Sequence, residues 1–222
     1  MKILRAVALT VAAVVLLSFT AFANGKPEYK SDSEHFKQEY ETKNGMWDEH
    51  FHRMRSLELS EDNPVVYASC DEILKRLDKK ESFYIYFGYA KCPWCRGIVG
   101  PMLEAAKKCE VSEILYVDLL RCRDEYTAKK GQAVKLSEGA DGYEELLKRF
   151  DAVLDEYTLI EKDGTEIYTG EKRIYAPTIM HIQDGTVKQI YTGSEMFTDP
   201  CGELTEEIRS DMICGMTVLF TE

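Results

Sequence analysis

Basic residues are scarce in this chain: 28 Lys and Arg stand against 39 Asp and Glu, a net charge of −11 over 222 residues. No stripe of Lys and Arg is present to meet phosphates, which argues against a nucleic-acid partner. No cysteine precedes Cys70, which excludes a lipid-modified N-terminal cysteine. No second Cys-x-x-Cys stands at zinc spacing, so a structural zinc site would lack half its ligands. No internal repeat or low-complexity tract is evident, which leaves out repeat architectures. With 45% hydrophobic residues, the chain suffices for one packed domain plus appendages.

What is there centres on Lys91-Cys92-Pro93-Trp94-Cys95-Arg96. An apolar run, Phe83 to Gly88, precedes it, and a helix-like run, Gly97 to Lys108, follows. A Cys-x-x-Cys at a strand-to-helix junction has a definite chemical use. Cys92 falls at the helix N-terminus, where unpaired N–H groups and the macrodipole favour a thiolate. Cys95 lies about one turn on, within bonding reach. Pro93 suits the first turn, because its missing N–H has no partner to lose there. The pattern predicts thiol–disulfide exchange: Cys92 attacks, a mixed disulfide forms, and Cys95 resolves it. Lys91 and Arg96 flank the pair and favour the Cys92 thiolate electrostatically, unless they are merely solvated surface charges. Trp94 either offers substrate an apolar contact or caps the helix.

The N-terminus has a basic start, Met1 to Arg5, an apolar stretch, Ala6 to Thr20, and Ala21-Phe22-Ala23. This is the pattern of a secretory signal over residues 1–23, cut after Ala23. The rival reading is an uncleaved membrane anchor. In an exported chain the seven cysteines (70, 92, 95, 109, 122, 201, 214) permit disulfides. Cys201 and Cys214 are the first candidates for a structural pair, although sequence does not give connectivity. Cys109 reads as a buried small hydrophobe.

Residues 24–63 are polar and read as an arm, with helical pieces at Ser33–Thr42 and Trp47–Arg55 around an Asn44-Gly45 turn. Trp47, Phe51 and Met54 are the residues expected to dock it. His50 and His52 read as water-facing, since no third ligand lies near them. The domain is expected over residues 64–222. Val65 to Tyr67, Ser82 to Gly88 and Ile114 to Leu119 read as strands separated by helices, Cys70 to Lys79 and the motif helix, in which Pro101 predicts a kink. That β-α-β-α-β order implies a parallel sheet with crossover helices. Arg121 to Gly142 is polar and irregular. Tyr143 to Tyr157 repeats Leu146, Leu147, Phe150, Val153 and Leu154 at helical spacing. Two Asp-Gly turns, at Asp163 and Asp184, mark hairpins, and Leu204 to Met212 reads as a last helix.

The strand, Cys-x-x-Cys helix, strand, helix, Ala176-Pro177-Thr178 strand, Asp-Gly hairpin and final helix together resemble the thioredoxin superfamily, over about residues 64–212. More narrowly, Ser82–Gly88, the Cys92-Pro93-Trp94-Cys95-Arg96 run and Lys172 to Pro177 resemble secreted thioredoxin-like proteins of Gram-positive bacteria, some labelled bacteriocin transport accessory proteins. The resemblance implies an α/β three-layer sandwich with a mixed central sheet and flanking helices, and a helical insertion at about 121–157 before the proline strand. It implies that Pro177 is cis, lies against the cysteines and leaves the backbone of Ala176 open to an extended substrate. No cofactor or metal is implied. The partners implied are cysteine-containing exported proteins or peptides and a membrane or extracellular redox partner. Three departures stand out. Tyr86 replaces the buried Asp found six residues before the first cysteine in thioredoxin, so the proton for Cys95 must come by another route. The central dipeptide is Pro-Trp, and Thr192 to Glu195 stands where a glutaredoxin has its glutathione site. The proline of the motif helix lies one residue late. The alternative function is a non-catalytic accessory module for peptide export, in which the dithiol is incidental.

Overall fold

Apolar runs that alternate between two helical layers build the sheet. The computed structural model describes residues 29–47 and 53–221. In chain order it holds α1 (Asp32–Glu41), β1 (Val65–Tyr67), α2 (Cys70–Asp78), β2 (Phe83–Gly88), α3 (Pro93–Lys108), β3 (Ile114–Asp118) and a one-turn α4 (Leu119–Cys122). There follow β4 (Glu125–Lys129), β5 (Gln132–Ser137), α5 (Tyr143–Phe150), β6 (Asp155–Ile160), β7 (Glu166–Arg173), β8 (Thr178–Gln183), β9 (Thr186–Tyr191) and α6 (Glu206–Thr221).

The central sheet has the order β1-β3-β2-β8-β9. β1 and β2 each run parallel to β3, with Val65 opposite Ile114 and Ile85 opposite Leu115. β8 runs antiparallel to β2, Phe83 opposite Ile182, and β9 antiparallel to β8. Side chains alternate across the sheet. Tyr86, Tyr116 and Ile179 join one buried cluster with residues of α1, α3 and α6. Ile85, Phe87, Leu115, Val117 and Met180 join the other, with residues of α2 and α5. Both faces are covered, as parallel strands require. This is the thioredoxin-like α/β sandwich, a mixed sheet between two helical layers.

Local chemistry fixes the helix starts. Ser69 and Glu72 form a reciprocal capping box at α2, with Ser69 Oγ accepting from Glu72 N at 3.2 Å. α3 continues through Pro101 as one 16-residue helix.

Two expectations are corrected. The arm docks through its first helix rather than through Trp47, which is 65% exposed. Phe36 and Tyr40 lie four residues apart on one face of α1, and both are fully buried. Burying Phe36 alone contributes about 2–3 kcal/mol. Met54 is buried as expected, and Trp47 and Arg53 pair in an isolated antiparallel bridge. Ser31–Glu222 therefore forms one compact unit that includes most of the supposed arm. Residues 1–23, Phe51, His50 and His52 lie outside the described residues.

The stretch read as a helical insertion holds strands as well as a helix. α5 belongs to the covering layer itself, and the added matter is two hairpins, β4–β5 and β6–β7. Tyr126, Thr127, Tyr157 and Thr158 are aromatic or β-branched and suit a pleated surface better than a helix. Arg173 ties the hairpins together: it donates to Asp124 O at 2.9 Å and lies 3.8 Å from the centre of the Tyr157 ring.

Candidate active site

Where β2 ends, the chain turns through Tyr89 to Lys91 and enters α3 with Cys92 as its N-cap and Pro93 in its first turn. Cys92 is 3% exposed and Cys95 is fully buried. Cys92 Sγ accepts the Cys95 N–H at 3.3 Å. The Cys92 thiol is held below its usual range, chiefly by a hydrogen bond from the Cys95 thiol, then by backbone N–H groups of Cys95 and Trp94 and by the charge of Arg123. Burial opposes these and is outweighed. The Cys95 thiol is pushed well up, first by burial and then by donating to Cys92. The two sulfurs are thus biased in opposite directions, Cys92 toward thiolate and Cys95 toward thiol.

The Ala176–Pro177 peptide bond is cis, as the resemblance implies. Its loop lies over the dithiol: the protonated Cys92 Sγ donates to Ala176 O at 3.6 Å. Pro177, Trp94, Ile98, Phe197 and residues 192–195 line a cleft of about 250 Å³. Trp94 is 39% exposed and sits edge-on to Phe197 at 5.3 Å. Gly97 permits this packing, because a Cβ there would stand 2.2 Å from Phe197 Cζ. Gly97→Ala would gain roughly 1 kcal/mol of helix propensity, but displacing a buried ring costs about 1–3 kcal/mol. The clash wins, so a lower denaturant midpoint and a more exposed Trp94 by fluorescence are expected.

The flanking cations part company. Lys91 is exposed at the rim. Arg96, expected to act on Cys92, is instead fully buried on the rear of α3. Its guanidinium donates to Arg55 O (2.7 Å), Tyr40 O (2.8 Å), Ala90 O (3.0 Å) and Asn44 Oδ1 (2.5 Å). Tyr40 O belongs to the last turn of α1, the negative end of that helix, so among the described residues carbonyl dipoles rather than a carboxylate balance the charge. The Arg96 side chain is spent on the carbonyls of Arg55, Tyr40 and Ala90, which adjacency to the dithiol in sequence conceals. The cation that does act on Cys92 is Arg123, over the Tyr89 ring at 5.3 Å.

Sequence reasoning also missed the group that serves Cys95. Tyr86 is fully buried, and its hydroxyl lowers the cost of a thiolate on Cys95. Behind it stands Tyr40, with the two hydroxyl oxygens 2.8 Å apart. When Tyr86 turns its proton to a Cys95 thiolate, Tyr40 donates to Tyr86. Burial raises the pKa of both phenols well above the usual tyrosine range, so both remain donors. Gly88 makes room, for a Cβ there would stand 2.5 Å from the Tyr86 hydroxyl. Tyr86→Phe is expected to slow resolution of a mixed disulfide by about tenfold, one lost hydrogen bond. Alkylation of Cys92 should change little, and stopped-flow measurement of each step would separate the two. A variant slowed equally in both steps would deny Tyr86 this role.

Among the described residues, no group of three or more His, Cys, Asp or Glu is placed to hold a metal. Cys201 and Cys214 are not bridged; Cys214 lies on the exposed face of α6.

No protein-family model matches the chain. No curated protein matches it either. Among solved structures it is similar to thioredoxin O2 of Arabidopsis thaliana in its oxidised state: 17% identity, TM-score 0.34, covering 60% of this chain and 85% of that one. Thioredoxin O1 of the same plant, also oxidised, gives 17% identity and TM-score 0.34, covering 60% of this chain and 89% of that one. The fold rests on the strand order and the dithiol–proline geometry described above.

Proposed function

We propose that the chain is a thiol–disulfide oxidoreductase that exchanges disulfides with exported proteins or peptides through Cys92 and Cys95. The observation that carries this reading is the placement of Cys92 at the N-cap of α3, with Cys95 one turn on and its N–H on the Cys92 sulfur, against the cis Ala176–Pro177 loop.

In the reducing direction the Cys92 thiolate attacks a substrate disulfide and expels one substrate thiolate. The intermediate is a mixed disulfide between Cys92 and substrate. Cys95 then gives up its proton, the Tyr86 hydroxyl stabilises the thiolate that forms, and Cys95 attacks the Cys92 sulfur. The second substrate thiolate leaves. Two electrons have passed from the dithiol to the substrate, and the protein holds a Cys92–Cys95 disulfide. Oxidation of substrate is the reverse. Ala176 offers backbone to an extended segment, and Trp94 with the adjoining cleft offers apolar contact. Arg123, not Arg96, is the modulating cation.

The signal-like residues 1–23 support an extracytoplasmic setting, where disulfides persist. The resemblance to secreted Gram-positive proteins of the bacteriocin transport accessory type supports exported peptides among the substrates.

The test is to express Cys95→Ser in its native envelope. Mixed disulfides should accumulate through Cys92, and none should form when Cys92 is also replaced. Full biological effect from a Cys92→Ser, Cys95→Ser chain would instead favour a non-catalytic accessory module.

A further inference from the structure

A second pair of sulfurs meets at the same edge of the sheet. β1 and β3 pair in parallel, with Tyr67 opposite Tyr116, and Ala68 N donates to Tyr116 O at 2.9 Å. The two strands therefore leave the sheet side by side. After β1, Ser69 caps α2 and sets Cys70 at its first residue. After β3, the Asp118 carboxylate accepts from Leu120 N at 3.0 Å, and the single turn of α4 brings Cys122 back over the strand ends. Cys70 and Cys122 share one apolar cluster, 2% and 7% exposed. Each thiol is the leading influence on the other's ionisation, which makes them neighbours within that cluster.

One buried cysteine is ordinary core material. Two as neighbours, one of them at the start of a nine-residue helix, repeat the plan of Cys92 and Cys95 on the neighbouring strand-to-helix junction. The ionisation follows the same plan. Cys122 leads in pulling the Cys70 thiol down, and Cys70, with burial, pushes Cys122 up.

We propose that Cys70 and Cys122 are a second dithiol–disulfide couple, which on oxidation staples the start of α2 to the root of the β4–β5 hairpin. The oxidant is the disulfide of a low-molecular-weight thiol. Cys70 gives its proton to solvent, and its sulfur attacks one sulfur of the oxidant and expels the first thiolate, giving a mixed disulfide on Cys70. Cys122 loses its proton to solvent and attacks the Cys70 sulfur, expelling the second thiolate. One S–S bond forms within the chain, the oxidant's S–S bond is broken, and two electrons pass to the oxidant. Because both sulfurs are buried in the finished fold, the bond forms before the core closes or during its transient opening. The inference does not depend on exchange at Cys92.

The test uses the full chain carrying Cys92→Ser and Cys95→Ser, so failure at the first pair cannot mimic failure at the second. Reduced, denatured protein is refolded in graded mixtures of oxidised and reduced glutathione. Differential alkylation and peptide mass spectrometry then map the thiols. A Cys70–Cys122 linked peptide is expected, with a thermal midpoint about 10 °C above that of the same protein in reductant. Cys122→Ser should abolish both. Refolded protein in which Cys70 and Cys122 stay thiols at every ratio, or bond to other cysteines, overturns the proposal. The unsubstituted chain, refolded in parallel, gives the same readout should the serine variant fail to fold.

Discussion

Cys92→Ser is expected to lower the rate of exchange with a small disulfide by at least about a thousandfold, because a serine hydroxyl is hardly ever an alkoxide near neutrality. Cys95→Ser should instead leave the first attack intact and halt the cycle at the mixed disulfide. The pH dependence carries the sharper information. Attack requires the thiolate, so the rate of the first step should rise with pH and level off once Cys92 is fully ionised. Its thiol is held down by the Cys95 thiol, two backbone N–H groups and Arg123. The midpoint should therefore lie below the value of about 8.5 for a free cysteine. Alkylation of Cys92 with iodoacetamide across the pH range, read by mass, measures that midpoint directly. A midpoint at or above that of free cysteine would remove the electrostatic basis for the proposed nucleophile.

Arg96→Ala is expected to cost about 3–5 kcal/mol of stability, among the larger effects of a single substitution. Four acceptors converge on this guanidinium: Arg55 O, Tyr40 O, Ala90 O and Asn44 Oδ1. Each buried acceptor left unpaired costs about 1–3 kcal/mol, and water entering the vacated space offsets part of the sum. For a domain of this size the midpoint should fall by roughly 10 °C. Arg96→Lys should recover little, since one ammonium cannot span the planar fork of partners. Thermal unfolding gives the magnitude, and hydrogen exchange over residues 32–44 gives the location. A loss under about 1 kcal/mol would mean that Arg96 behaves as the surface charge its place in the motif suggests.

The parts of this fold that were legible in the sequence are those written in local chemistry. The apolar run before Cys92, the proline after it and the helical spacing beyond it are all near neighbours. Ala176-Pro177-Thr178 and the Asp184-Gly185 turn are equally local, and the resemblance they carry implied the mixed sheet. The Asp163-Gly164 turn marked the β6–β7 hairpin, but β4–β5 was hidden because charge and glycine in residues 121–142 disguise strands that pair only with each other. The position of Tyr86 was legible but its role was not, because its partner Tyr40 stands 46 residues earlier, in what composition marks as an arm. Arg96 misled for the opposite reason: it is next to Cys95 in sequence and on the rear of the helix in space.

The docking of α1 redraws the minimal folding unit. A chain trimmed to begin at Pro64, where composition suggests the domain starts, would keep every strand of the central sheet and both reactive sulfurs. It would lose the carbonyls that neutralise a sealed-in cation and the phenol that dries the back of the resolving thiol. Water would reach Cys95 from behind, and its proton would no longer be governed by one hydroxyl. The true start of this domain is set by where a charge must be enclosed, some thirty residues ahead of the first strand.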